Sequence, residues 1–152
     1  LRWPNDLYLA GRKLGGVLCE TTALNGRRRA LVIGVGINCL QQPGHFPPEL
    51  RERATSLEIA STGPVDRQAV AAALIARLDA RLADMVSDGG GQRLLSEWTR
   101  LCTDVGQAVR LVESGVEHVG RVVALEAEGD LLVQLDSGGR RRFAARTTTR
   151  VG

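Results

Sequence analysis

Lys13 is the only lysine in this 152-residue chain; the other nineteen basic side chains are arginine. A composition so biased replaces lysine wherever a generic solvated cation suffices, so a retained lysine asks for a chemical reason. An ammonium is a compact point charge with three rotatable donors, suited to a tight pocket that holds a carboxylate or phosphate oxygen. A lone lysine at a hairpin shoulder is more often solvated surface, but its neighbours shift that reading. Just upstream, "WPND" sets a large aromatic and a rigid proline ahead of Asn5 and Asp6. Asn and Asp after Pro favour a turn by bonding their own backbone, yet Asp6 and Lys13 would also lie across a hairpin, within reach of one pocket. Downstream, "GVGIN" puts Gly34 and Gly36 inside an otherwise β-branched run. Glycine in a strand interior costs roughly 0.5–1 kcal/mol relative to Ala, so the pair marks either a bulge or a place where something packs closely against the backbone. The motif has neither the third glycine nor the helix start of a dinucleotide or P-loop fingerprint.

The elements that must position these groups follow from periodicity. Leu7 to Leu9 and Lys13 to Glu20, joined by Ala10-Gly11-Arg12, read as a hairpin, and Asn25-Gly26 is a second turn signal. "ALVIGVGIN" is nearly continuous in apolar residues, with Val32, Ile33, Val35 and Ile37 β-branched. That pattern predicts a central strand covered on both faces. "QQPGHFPPEL" holds three of the five prolines and is a loop, whereas "ATSLEIASTG" stays open between a short helix and a turn. From Asp66 as N-cap, apolar residues at Val70, Leu74, Leu78, Leu82 and Met85 form the stripe of an amphipathic helix, assigned to the core and ended by Gly89-Gly90-Gly91. A shorter helix presents Leu94, Leu95, Trp98, Leu101 and Cys102. After Val105-Gly106, short alternating strands with turns at Ser114-Gly115, Glu128-Gly129-Asp130 and Asp136 to Gly139 form a small all-β unit. A boundary near Asp104 divides the chain into 1–104 and 105–152.

Composition narrows the class. Hydrophobic residues make up 43%, and no apolar run nears the roughly 18 residues of a membrane span. Cys19, Cys39 and Cys102 are odd in number and lack C-x-x-C or Cys/His spacing, which argues for reduced core thiols over disulfides or zinc. A net charge of +3 decides nothing about partners. Arg27-Arg28-Arg29 and Arg140-Arg141-Arg142 raise an alternative, a basic small-barrel protein that binds nucleic acid, but aromatic residues for base stacking amount to 3%. The chain starts at Leu1 rather than Met and enters directly into a strand, so it is expected to be a piece of a longer protein.

Taken in order, "RWPNDLYLAGRKLGGVLCE", "VIGVGIN" and "ATSL" resemble the catalytic domain of biotin protein ligases, and the β unit after Asp104 is similar to the small SH3-type barrel that closes the bacterial enzymes. The resemblance implies an α+β fold: a mixed sheet with packed helices, the later part of a class II synthetase-like catalytic domain, followed by the barrel. It implies that biotin and ATP, with Mg2+, give biotinyl-5′-AMP and pyrophosphate. A lysine of the biotin carboxyl carrier protein of acetyl-CoA carboxylase then attacks the mixed anhydride, in the cytoplasm. A homodimer fits the family, and nucleic acid enters only with an upstream helix-turn-helix.

Residue by residue, the resemblance makes Lys13 the catalytic lysine that contacts the biotin carboxylate and the α-phosphate, and sets Asp6 facing the incoming amine. It puts Gly16, Leu18, Gly34, Val35 and Gly36 along the biotin pocket, and Asn5, Asn38 and Arg2 toward ATP. Arg2 stands where the family usually has lysine. Simple alternation would send Lys13 and Gly16 to opposite faces, so both line one pocket only if the strand is irregular at Gly15-Gly16. The family's glycine- and arginine-rich loop, which folds over biotin and the adenylate, lies upstream of the WPND, so the chain alone is expected to be inactive. "FAARTTTRV" departs from the family's usual last strands. Lipoate ligases share the fold, but the pairing of WPND with GVGIN looks like the biotin branch.

Overall fold

The computed structural model describes residues 1–25 and 28–151. Three strands come first, β1 (Asp6–Leu9), β2 (Arg12–Asn25) and β3 (Arg28–Ile37), in the sheet order β1-β2-β3. Two 3-10 turns follow in the proline-rich loop, then α1 (Leu57–Ala60), α2 (Arg67–Met85) and α3 (Gly90–Leu101). The last five strands, β4 (Ala108–Glu113), β5 (Val116–Leu125), β6 (Leu131–Leu135), β7 (Arg140–Phe143) and β8 (Thr148–Val151), form a second sheet ordered β7-β6-β5-β4-β8. All strand pairs are antiparallel. Among the described residues the one parallel feature is a bridge between Lys13 and Ala54. The expected turn at Asn25-Gly26 lies outside the described residues, as does Arg27 of the first arginine triplet.

The chain divides into two compact units, Asn5–Ile75 and Leu1–Pro4 with Ala76–Gly152. The β unit does begin after Asp104, but the unit that contains it also takes in α3 and the first four residues, so the boundary expected at Asp104 is not where the chain divides. The reason is buried polar chemistry. Trp3 is 2% exposed; its backbone N–H donates to Asp104 Oδ2 (2.6 Å) and its indole N–H to the Gly129 carbonyl (2.8 Å). Asp104, itself 2% exposed, also pairs with Arg150 on β8. A carboxylate withdrawn from water is tolerable only with such partners. Alternation along β4 and β6, and an irregularity in β5 between Val122 and Ala124, turn Val109, Leu111, Val122, Leu125, Leu131 and Val133 inward with Phe143 and Trp3, and Leu95 and Trp98 of α3 pack against that cluster. The "FAARTTTRV" end thus supplies a core residue, Phe143, and a strand paired to β4.

In the other unit, the hairpin turns on Ala10 (φ 48°) and Gly11 (φ 77°), the double positive φ of a tight two-residue connection. β3 is an edge strand, not the central strand its composition predicts. Among the described residues it pairs only with β2, and Leu31 and Val32 are 60% and 51% exposed. A β-branched run reports apolar surface on both faces; Ile33, Val35 and Ile37 are partly buried, whereas Leu31 and Val32 lie open.

Asp66 caps α2 as expected, accepting from the N–H groups of Gln68 (2.8 Å) and Ala69 (3.3 Å). The α2 stripe is not core, however: none of its residues is buried, and Leu82 and Met85 are exposed. The helix stops at Met85, and Gly89 (φ 71°) precedes α3. Of the three free cysteines only Cys102 is buried; Cys19 is exposed and is no core thiol.

Candidate active site

The pairing of β1 with β2 decides which side chains can meet. Asp6 lies opposite Gly16 and Leu7 opposite Gly15, but Tyr8 lies opposite Lys13, so Leu14 is an extra residue on β2. Directly paired residues share a face and alternate residues along a strand do so too. The bulge at Leu14 therefore brings Lys13 to the face that carries Asp6, Tyr8 and Gly16. The irregularity required by the sequence exists, one or two residues earlier than Gly15-Gly16. Lys13 Nζ makes an ion pair with Asp6 Oδ1, with both groups partly open to solvent.

The same face continues across β3, because Gly16 pairs with Gly36 and Leu18 with Gly34. Gly16, Gly34 and Gly36 thus form a backbone floor beside Lys13 and Asp6, with the exposed Leu18 at its side. Val35 pairs with Val17 on the opposite face, so only its backbone lies between the two glycines. The glycines of this motif differ in cause. A Cβ at Gly15 would collide with the Gly36 carbonyl, so strand pairing itself demands glycine there. At Gly34 and Gly36 an added Cβ would come no closer than 3.6 Å and 4.0 Å to any neighbour, neither has positive φ, and no bulge occurs at either. Among the described residues nothing requires them to be glycine. A Cβ at Gly16 would lie 3.4 Å from the Asn5 carbonyl and 3.5 Å from Asp6 Oδ1.

Where β3 ends at Ile37, a different segment takes its place beside β2. The Lys13 N–H donates to the Arg53 carbonyl (2.8 Å) and the Thr55 N–H donates to the Lys13 carbonyl (2.9 Å). Asn38 sits at the splice. Its N–H bonds the Leu14 carbonyl (2.9 Å), its carbonyl accepts from the Leu57 N–H (2.9 Å), and its Nδ2 donates to the Thr55 carbonyl (3.0 Å). Ser56, fully buried, caps α1 through the Ile59 N–H (3.1 Å) and donates its hydroxyl to the Gln41 carbonyl (2.6 Å). "ATSL" is therefore neither simply helix nor turn: it bridges Lys13 first and starts α1 afterwards. Its tie to Lys13 was not legible from sequence, although the tetrapeptide itself stood out.

Asn5 is exposed, and its carbonyl receives the Val17 N–H (2.8 Å). Arg2 is not on this sheet; it groups with the barrel unit and is half-buried. Among the described residues no group of three or more His, Cys, Asp or Glu side chains is placed to hold a metal ion, and no helix is long and apolar enough to cross a membrane. The second arginine triplet is committed internally. Arg141 pairs with Glu113 (2.5 Å), Arg142 with Glu126, and Arg140 Nε with Gln134 Oε1 (3.4 Å). These pairs lie at the surface, with the Arg141 and Arg142 side chains about half exposed.

The model of the biotin/lipoate A/B protein ligase family matches residues 1–38. Over 145 residues, 95% of this chain and 44% of the relative, the sequence is 32% identical to the bifunctional ligase/repressor BirA of Bacillus subtilis. Over 141 residues, 92% and 48%, it is 31% identical to the biotin--[acetyl-CoA-carboxylase] ligase of Mycobacterium tuberculosis. The structure of biotin protein ligase from Aquifex aeolicus in complex with biotin and ATP matches with a TM-score of 0.78 and 25% identity, over 99% of this chain and 62% of that one. The chain spans about half the length of the curated relatives it matches. Those matches run through both sheets, and by them the chain belongs to the biotin protein ligase family.

Proposed function

We propose that the Lys13 face is the reacting centre of a ligase that activates biotin with ATP and passes it to a lysine of a biotin carboxyl carrier protein. The observation that carries this reading is the Lys13–Asp6 pair beside a glycine floor that none of the described residues fills. Backbone without side chains lets a flat ligand lie against the strands, and Leu18 offers it apolar surface.

Joining a carboxylate to an α-phosphate brings two anions together. As the biotin carboxylate oxygen attacks phosphorus and pyrophosphate leaves, the Lys13 ammonium offsets their repulsion and the charge that builds on the phosphoryl oxygens. Asp6 holds Lys13 while no anion is present. An ion pair this open to solvent contributes only about 0–1 kcal/mol, so arriving anions take the ammonium at little cost and free the carboxylate. Asp6 can then orient the carrier amine and accept its proton as the amine attacks the acyl carbon and AMP departs. Mg2+ binds readily through substrate phosphates with few protein ligands, so it would arrive as part of the nucleotide. By their match to the family motif, Gly16, Leu18, Gly34 and Gly36 line the biotin side, Val35 adds backbone only, and Asn5 and Asn38 face the nucleotide.

The test joins this chain behind the N-terminal part of the Bacillus subtilis relative that it does not span, and follows biotinyl-5′-AMP by mass spectrometry. Product from biotin and ATP, not displaced by excess lipoate, supports the reading. Product from lipoate instead would move the chain to the other branch of its family, and no adenylate from either acid would overturn the proposal.

A further inference from the structure

In the sheet unit, the deepest burial among the described residues falls on Ala54, Thr55 and Ser56, together with Phe46. Two of those are polar, and this is where the backbone of Lys13 is held. Burying polar groups is costly unless each is bonded, and here one of the bonds is supplied by the Asn38 side chain. The Thr55 carbonyl is taken by Asn38 Nδ2, while the Thr55 N–H is given to the Lys13 carbonyl. The orientation of the Asn38 amide is set by chemistry, since a carbonyl partner requires the NH2 end.

We infer that Asn38 is a positioning residue for Lys13, acting through Thr55. With the Asn38 donor in place, the Arg53–Thr55 segment is fixed as a short parallel partner of β2, and the bulged Lys13 is gripped at both its N–H and its carbonyl. Without that donor the segment keeps its backbone ties at Leu57 and Glu58, but the buried Thr55 carbonyl loses its partner and the residue that takes up the Lys13 carbonyl is held less firmly. This role differs from contact with the nucleotide: it spends one amide hydrogen inward and acts on Lys13. It rests on Lys13 having the role proposed above.

Because Lys13 is the sole lysine of these 152 residues, lysine-selective 15N labelling gives its backbone amide as a single resonance. Asn38→Asp keeps the shape of the side chain but removes the donor. Loss of one net hydrogen bond should speed hydrogen exchange at the Lys13 amide by about tenfold. In the ligase assay kcat should fall by about tenfold, since small misplacement of a reacting group is costly. Asn38→Ala repeats the test without the added charge if Asn38→Asp does not fold. An unchanged Lys13 exchange rate overturns the inference, as does a raised KM for ATP with kcat preserved, which would assign Asn38 to the nucleotide alone. Should the parent form no biotinyl-5′-AMP, the ligase reading fails on its own, and the exchange arm still decides whether Asn38 holds Lys13.

Discussion

The two units of this chain use burial for different ends. The barrel unit gathers eight apolar side chains into one cluster, from Trp3 to Phe143. The sheet unit leaves Leu18, Leu31 and Val32 half exposed or more and reserves its deepest burial for the segment that holds Lys13. The first arrangement secures a fold, and the second holds the backbone of Lys13, the proposed reacting group, while leaving a surface open beside it. Stability and the proposed chemistry are thus separated along the sequence, and each unit should respond to substitution in its own way.

The largest contrast is expected from apolar truncation. Phe143→Ala, at a position with no exposed surface, should cost about 3–5 kcal/mol, whereas Leu31→Ala should stay within about 0.5 kcal/mol. Urea unfolding of the two variants measures both, and equal losses would break the comparison.

A smaller contrast lies within the glycine motif. Gly15→Ala drives a Cβ into the Gly36 carbonyl and should destabilise by about 1–3 kcal/mol. At Gly36 an added Cβ meets nothing closer than 4.0 Å and valine suits a strand, so Gly36→Val should change stability by less than about 1 kcal/mol. Calorimetric titration should nonetheless find biotin binding weakened more than about tenfold, because a burial-sized side chain then occupies the floor. A folded Gly36→Val variant with parental biotin affinity would return the glycines to a purely structural role.

The smallest effect concerns the link between α2 and α3. The Arg93 guanidinium bonded to Asp84 (2.6 Å) holds the Asp84 carboxyl below its ordinary range against partial desolvation, with the charge of Arg93, the Ser87 hydroxyl and the charge of Arg81 adding to it. A carboxyl depressed in the folded state adds stability above its unfolded pKa of about 3.9, and that stability is lost as pH falls through the lower folded value. Asp84→Asn should therefore narrow the stability gap between pH 6 and pH 2 (roughly neutral and acid limits of the linkage) slightly. Urea midpoints at the two pH values would check the sign.

What the sequence made legible was local. The hairpin, the Asp66 cap, the turns at Ser114-Gly115 and Glu128-Gly129-Asp130, and the Asp6–Lys13 pairing all follow from spacing and turn chemistry. What it hid was set by partners distant along the chain. Composition marks β3 as suited to cover on both faces but does not say what pairs with it. Asp104 looks like a linker residue until Trp3 and Arg150 are seen on it. The grip on Lys13 by Arg53 and Thr55 spans some forty residues, roughly the separation that loop closure makes invisible to local pattern. The site was legible in its residue types, and the bulge that lets them meet was required by the sequence, but its place at Leu14 came from the pairing register.

The account stands on the ammonium of Lys13, and Lys13→Arg tests it most directly. The substitution keeps the charge, so a solvated surface role would leave biotinyl-5′-AMP formation within a few-fold of the parent in the fused protein. If Lys13 is the compact charge between two anions, the rate should fall by about 10²–10³-fold, the loss seen when a preorganised donor is removed from a charged transition state. A rate near the parent's, in a variant that still binds biotin, would contradict the central claim.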